Sequence, residues 1–398
     1  MKEYTTLEKV ALIYNGNSIN AEYKKQHFVG LKTGYPFIGT KDVSFEGVVD
    51  YNNGVRIPYN TDYKTAEPDS VFICAEGGSA GRKIAYINEK VCFGNKLFCI
   101  KPKKNLYIGK FLYYYLMSNA FQTQFKLMLT GLIGGVSAKK FKSFTIPILE
   151  ITEQERIVAF LDAEFEKIDQ LKANAAAQLQ AAKDLFQAAL KEMLTPKEKW
   201  VEYQINNVIS DLRTGLNPRV HFKLNTPDAD CYYITVRELK GFTIETDEKT
   251  DLVNKSAIER INQRSHLQIG DVLFSATGTI GNTALVTEVP ENWNIKEGIY
   301  VMTPLKSMLD SKFFIYLLGS DYFLRSVRAK AEGTGVKSIA MKNLIKLPIA
   351  LPPLPEQQRI AERLDAISDK VKALQSNYDQ TLTLCNDLKQ ALLKSIFE

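Results

Sequence analysis

Two stretches of this chain repeat one pattern: "LEITEQERIVAFLD" at 149–162 and "LPPLPEQQRIAERLD" at 351–365. Each reads as a loop, a Glu-Gln-x-Arg entry and the start of a long helix. With Glu153 set against Glu356, an offset of 203 residues, Gln154 meets Gln357 and Arg156 meets Arg359. Ile157, Leu161 and Asp162 then meet Ile360, Leu364 and Asp365, and the register holds without a gap to Lys191 and Lys394. Shared helix composition does not produce so many matches in phase. A chain of 398 residues with this junction twice is a tandem, and two units are too few for a solenoid.

No Pro or Gly interrupts the chain from Thr152 to Leu194. Apolar residues recur there at Ile157, Leu161, Phe165, Ile168, Leu171, Ala175, Leu179, Ala182, Phe186, Ala189 and Met193. The second copy places Ile360, Leu364, Ile367, Val371, Leu374, Tyr378, Leu382, Cys385, Leu388, Leu392 and Ile396 in the same rhythm. Steps of three and four residues sustained over about five heptads predict a coiled-coil seam. Such a helix is a rod of roughly 60 Å, too long to bury in one small domain. Its economical partner is the other copy, running antiparallel. Thr152 with Glu155 fits a capping box, and Pro355 fits the proline preference of a first helical turn. Glu153, Gln154, Arg156, Glu356, Gln357 and Arg359 have two readings: first-turn groups that suit the helix dipole, or a grip on a partner.

The segments before each junction also correspond. "GGVSAKKFKSFTIPI" (134–148) resembles "GTGVKSIAMKNLIKLPI" (333–349), "EGGSAGRKIAYI" (76–87) resembles "ATGTIGNTALVT" (276–287), and "YPFIGTKDVSFEGVV" (35–49) resembles "YYITVRELKGFTIE" (232–245). Short apolar runs such as "SVFICAE", "KLFCIKP", "DVLFSA" and "IYVMTPL" read as strands between turn signals. "KFLYYYLMSNAFQTQF" (110–125) and "KFFIYLLGSDYFLRSV" (312–327) read as amphipathic helices whose aromatic residues serve a core. The expected class is α+β: two similar mixed α/β domains, 1–148 and 197–350, joined by long helices at 149–196 and 351–398 in an internal pseudo-twofold repeat.

Charge separates along the same lines. Residues 1–150 hold 20 basic against 12 acidic side chains and 197–350 hold 20 against 18. Residues 151–196 (5 against 8) and 351–398 (6 against 7) are slightly acidic. A polyanion partner for the two domains is the natural inference. Basic, turn-rich stretches supply candidates for DNA contact: Lys32, Thr33, Thr40 and Lys41 in the first domain, and Arg213, Arg219 and Arg237 in the second. The glycine loops "GGSAG" (77–81) and "GTIG" (278–281) add Ser79, Arg82, Lys83, Thr277, Thr279 and Asn282, although glycines there also suit plain tight turns. Lys139, Lys140 and Lys337 complete the set. Such side chains reach phosphates and base edges.

Catalytic motifs are missing from the sequence. There is no Gly-Lys-Ser/Thr phosphate loop and no strand-linked GxGxxG fingerprint. An Asn/Asp-Pro-Pro-Tyr/Phe motif, needed by a nitrogen-directed DNA methyltransferase, does not occur, and no convincing nuclease carboxylate set can be built. The five cysteines form no CxxC pair, which argues for a reducing compartment. Cys and the three His give no metal pattern. The N-terminal "MKEYTTLEKV" has no apolar signal core, so the cytoplasm is the expected location.

At "LPIALPPLPEQQRIAERLDAI" the sequence resembles the specificity (S, HsdS) subunit of type I restriction–modification systems. "GDVLFSATGTIGNTALV", "YPFIGTKDV" and "VCFGNKLFCI" extend the resemblance over essentially the whole chain. It implies two target recognition domains, each reading one half of a bipartite, asymmetric double-stranded DNA site. It also implies antiparallel helices that set the spacer and dock two methyltransferase subunits, with restriction subunits joining through the complex. Under it no cofactor belongs to this chain; S-adenosylmethionine, ATP and Mg go with the partners, and no membrane is involved. The alternative is a stand-alone DNA methyltransferase or nuclease with its own recognition domains. The first junction departs from the pattern in lacking the "PPLP" prolines, so it is expected to leave its helix at a different angle.

Overall fold

The computed structural model describes residues 3–129, 134–333 and 335–398; Thr334, within one of the matched stretches, lies outside them. The chain forms two compact units, Met1–Ala175 with Asp379–Glu398, and Ala176–Tyr378. The long helices, Ile151–Leu194 and Leu354–Phe397, span 44 residues each. Neither stands apart as a spacer domain: each contributes one part to each unit.

Both units build the same scaffold. The first has an antiparallel sheet ordered Ala11–Asn15, Leu97–Pro102, Ser70–Cys74, Ile84–Ile87. The second repeats it with Ile209–Thr214, Ile299–Pro304, Val272–Ser275 and Thr283–Leu285. A mixed sheet lies beyond each, centred on a parallel pair: Tyr35–Ile38 with Val91–Phe93, and Cys231–Ile234 with Trp293–Ile295. A two-stranded ribbon closes each unit just before its long helix, Tyr4–Thr6 on Thr145–Pro147 and Val201–Gln204 on Pro348–Leu351. The second unit adds the helix Lys255–Ser265, capped by Asn254 and ended by His266 at φ 42°.

The aromatic segments are helical but broken. Gly109–Met117 and Asn119–Met128 meet at Ser118; Ser311–Gly319 and Asp321–Lys330 meet at Ser320. Each serine accepts from a backbone N–H of the next helix, Phe121 or Phe323, and its hydroxyl donates to the carbonyl of Tyr115 or Leu317. The aromatic rings fill the core. Phe111, Tyr115, Phe121 and Phe125 are buried in the first unit, as are Phe313, Phe314 and Phe323 in the second.

Each helix pair packs on the start of one long helix and the far part of the other. In the first unit, Ile157, Leu161, Phe165 and Ile168 share a core with Cys385, Leu393 and Phe397. The Phe397 ring centroid lies 5.5 Å from Phe111 and 5.4 Å from Tyr115. In the second unit, Ile360 and Leu364 share a core with Phe186, Leu190 and Leu194. The antiparallel sense is explicit in the first unit, where Lys389 pairs with Asp169 at 2.6 Å and Lys172 with Asn386 at 2.7 Å. In the second, Lys183 reaches Gln375 at 3.0 Å. The expected seam drifts at two positions: Leu171 and Leu388 are 55% and 47% exposed. A straight helix rotates off a strict heptad, and Leu190, Leu194, Leu393 and Phe397 take up the burial instead.

The junctions overturn the partner reading of two residues. Gln154 and Gln357 are 0% and 1% exposed and are committed to their own chain. The Gln154 amide donates to the carbonyls of Leu106 and Leu149 and accepts from the N–H of Ile108. Gln357 repeats this with Met308, Pro352 and Asp310. Two turns on, Asp162 accepts from Lys110 at 2.6 Å and Tyr114 at 2.5 Å, and Asp365 accepts from Lys312 and Tyr316, both at 2.6 Å. The proline difference leaves these bonds unchanged, so the junctions close alike and the expected difference in angle has no counterpart in them. Nor does the Thr152 capping box form: the helix begins at Ile151, and the Glu150 carbonyl takes the N–H of Glu153 and Gln154. Pro353 plays that part in the second copy, which places Pro355 one residue inside the helix. Glu153 and Arg156 pair with each other at 2.7 Å on the surface; Glu356 is half-buried and Arg359 exposed.

Replacing Gln357 with Ala leaves a buried N–H and two carbonyls without partners. We expect a loss of about 2–4 kcal/mol, read as a lower denaturant midpoint with the m-value unchanged. Burial, and then the Asp162 and Asp365 carboxylates, push the Tyr114 and Tyr316 phenols well above their ordinary value. A pKa raised on folding stabilises fully below the unfolded value of about 10 and is lost as pH climbs beyond it. Melting temperature should therefore fall above pH 10, and less steeply when both tyrosines are replaced by Phe.

Candidate nucleic-acid interface

The glycine loops are turns bolted to the rest of their units. Gly77 and Gly278 adopt φ 81° and 80°, and Gly81 and Gly281 adopt 72° and 104°, values open to glycine. A Cβ on Gly81 would lie 2.5 Å from the Phe125 ring, and one on Gly281 2.5 Å from Leu324. The loops also pair with the segments that lead towards the long helices. Gly77 N–H donates to Gly134 and Gly278 N–H to Lys337, while Val136 and Ile339 donate to Ala75 and Ala276.

Several expected DNA contacts are internal braces. Lys83 donates to the Thr40 carbonyl at 2.8 Å. Asn282 donates to the carbonyls of Val236 at 3.3 Å and Leu239 at 3.1 Å. Both arise at the same point of the sheet, just before Ile84 and Thr283. Both tie the glycine loop to a turn closed by an acid: Asp42 accepts from Gly39 N–H, and Glu238 from Thr235 N–H. Arg237 bonds Glu238 at 2.8 Å and the Lys249 carbonyl, which holds the 235–250 loop. Burial raises the Glu238 carboxyl, but Thr235 and Arg237 outweigh it and hold it below the usual carboxylate range.

Arg213 is likewise withdrawn from solvent, its side chain 10% exposed. It bonds Asp271, which is fully buried, at 2.9 Å, and also reaches the His266 carbonyl and Thr303, each at 2.5 Å. A buried carboxylate needs such a partner, so this arginine is committed to Asp271 and cannot leave for a phosphate. Arg82 folds back on the Gly78 carbonyl and stacks 5.1 Å over the exposed Phe45 ring. Sequence spacing carries no signal for the pairings of Lys83, Asn282 and Arg213, which join residues 43 to 90 positions apart.

The other candidates do face solvent. Lys32, Thr33, Lys41, Lys139, Arg219, Thr277, Thr279 and Lys337 are exposed, and Thr40, Ser79 and Lys140 half-buried. Lys139 and Lys140 ride the short helix Ala138–Lys142, whose N-cap is Ser137. Arg219 lies on Pro218–His221, capped by Asn217. The first unit also carries an open cleft of about 410 Å3 whose wall includes Thr40 together with Ser18, Asn20, Lys24, Phe37 and Asn95. Sequence reasoning noticed "VCFGNKLFCI" but not the Gly94–Lys96 turn inside it. The missing signal was alignment with "NIKEGIY" at 294–300, which shares its frame and almost none of its side chains. Among the described residues no group of three His, Cys, Asp or Glu is placed to hold a metal, and no helix is long and apolar enough to cross a membrane.

A family model described as type I restriction modification DNA specificity domain matches residues 2–181 and again 197–383. The EcoKI type I restriction enzyme specificity subunit of Escherichia coli (strain K12) is 21% identical, over 94% of this chain and 84% of its own length. The EcoBI specificity subunit of Escherichia coli is 22% identical, over 98% and 84%. A solved chain from work on assembly and conformational transition of the type I R-M system superposes with TM-score 0.73, at 19% identity, over 100% of this chain and 97% of its own. The HsdS subunit from Thermoanaerobacter tengcongensis gives TM-score 0.55 at 20% identity, over 99% and 96%. The two structures share the fold; the family model, laid twice along the duplicated sequence, shows that the chain belongs to the type I restriction modification DNA specificity family.

Proposed function

We propose that this chain is the non-catalytic DNA-reading subunit of a type I restriction–modification complex, each unit reading one half of a bipartite, asymmetric double-stranded site. The observation that carries this is the scaffold built twice with different exposed side chains: two readers of one polymer that see different sequences. The long helices set the spacing between half-sites and offer Glu153, Arg156, Glu356 and Arg359 to two methyltransferase subunits. Restriction subunits join through that assembly. S-adenosylmethionine, ATP and Mg belong to those partners, and the complex works in the cytoplasm.

Replacing residues 1–148 with the matching domain of another family member is expected to change one half of the target and leave the other. Methylome sequencing reads this directly, and alteration of both halves would overturn the division of labour. Removing one heptad from each long helix should change the accepted spacer in the same assay; an unchanged spacer excludes the ruler role. The purified chain alone is expected to transfer no label from S-adenosylmethionine to DNA. Charge-neutral replacement of Lys139 and Lys140 should weaken binding to every sequence alike and flatten its salt dependence.

A further inference from the structure

We infer that the cleft of the first unit between residues 17–20, 39–40 and 94–96 reads bases, with Asn95 as a specificity-determining residue, and that Glu297 holds the same post in the second unit. This rests on the DNA-reading function proposed above.

The rim of the cleft is rigid through its backbone. Gly94 N–H donates to Ile38 at 2.9 Å, Asn95 N–H to Asn17 at 3.1 Å, Asn17 N–H to Phe93 at 2.8 Å and Leu97 N–H to Gly94 at 3.1 Å. Gly16 lets the strands meet, since a Cβ there would sit 2.3 Å from the Phe93 carbonyl. The Asn17 amide is used inside this frame, on Lys64 and Phe93. By contrast the exposed Asn95 amide and the Thr40 hydroxyl have no hydrogen-bond partner among the described residues. Two cations flank them, Lys24 at 5.0 Å over the Phe37 ring and Lys96 beside Glu76 at 3.5 Å. The chemistry is that of a nucleic-acid groove site: donors and an acceptor carried on a braced backbone, with positive charge at the edge.

The internal duplication supplies the comparison. In the second unit Lys296 N–H donates to Ile234 at 2.8 Å, Glu297 N–H to Leu216 at 3.4 Å and Ile299 N–H to Lys296 at 3.2 Å. Gly215 stands where Gly16 does, its Cβ position 1.9 Å from the Ile295 carbonyl. Residues that build the frame are kept in kind: Gly16 and Gly215, Ile38 and Ile234, Leu97 and Ile299. Residues on the rim are not: Thr40 corresponds to Val236, Gly94 to Lys296, Asn95 to Glu297, whose carboxylate lies 3.8 Å from Arg264, and Lys96 to Gly298. A duplicated frame with exchanged rim chemistry is expected where two copies bind one polymer at different sequences. A carboxamide offers one donor and one acceptor and matches the N6 and N7 edge of adenine, whereas a carboxylate only accepts and suits the cytosine N4 amine.

The test uses the complex of the chain with its methyltransferase partner and reads the methylated motif. Asn95→Ala is expected to relax one base position in one half-site, with discrimination there falling about tenfold to a hundredfold. Asn95→Asp should move that position towards cytosine, and Glu297→Gln should alter one position in the other half only. Thr40→Val, which installs the second unit's residue, covers the case of an Asn95 variant that misfolds. An unchanged motif in all four variants overturns the inference. So does a loss of methylation that is uniform across positions in a chain whose melting temperature is unaltered. Failure of the broader DNA-reading function looks different: the unaltered chain would then direct no sequence-specific methylation at all.

Discussion

The buried glutamine at each junction is the contact on which the rest of this structure depends. One side chain, Gln154 or Gln357, answers three backbone groups that the end of a domain and the start of a helix leave open. Unsatisfied, those groups would be costly where water does not reach. Two turns later, an aspartate held by a tyrosine and a lysine makes a second attachment. Two points fix a direction, so each domain and the beginning of its helix behave as one body. A carboxylate cannot replace the amide here, because an ionised carboxylate only accepts whereas the amide both donates and accepts.

Much of this was legible in the sequence, for identifiable reasons. The tandem, the two long helices and the α+β class follow from periodicity and from a register of matches that only duplication explains. The matched pair Asp162 and Asp365 was visible as identity, though not as a role, because Lys110 and Tyr114 lie some fifty residues away. Side-chain destinations were the weak point. Lys83, Asn282, Arg213 and Arg237 carry the chemistry of DNA contacts and are used as braces, since a loop or a buried carboxylate must be satisfied before a partner arrives. Gln154 and Gln357 were misread for the same reason: a polar residue at a helix entry suggests a surface. Breaks at Ser118 and Ser320 passed unnoticed because a serine inside an aromatic run does not disturb its helical period.

The comparison between the halves separates architecture from information. Equivalent positions keep their backbone bonds while their side chains change, as with Lys83 and Asn282, which brace the same turn as an ammonium in one copy and an amide in the other. Substitution is tolerated there because the acceptor is a carbonyl, which takes either donor. Positions on the rim, Asn95 and Glu297 among them, differ in charge and hydrogen-bonding character, and Glu297 pairs with Arg264 at 3.8 Å. The molecule thus holds the same shape twice with the main chain while the side chains differ between the copies.

The way the long helices are shared also bears on how the chain comes into being. The second unit is continuous, Ala176–Tyr378, whereas the first needs Asp379–Glu398 to complete its core. As the polypeptide leaves the ribosome, the second unit can close while the first still lacks Leu393 and Phe397 over Phe111 and Tyr115. Synthesis therefore runs against assembly: the part made first is finished last. During that interval the apolar stripe of Ile157, Leu161, Phe165 and Ile168 keeps its packing on Tyr114 but lacks the part of its cover that Leu393 and Phe397 supply.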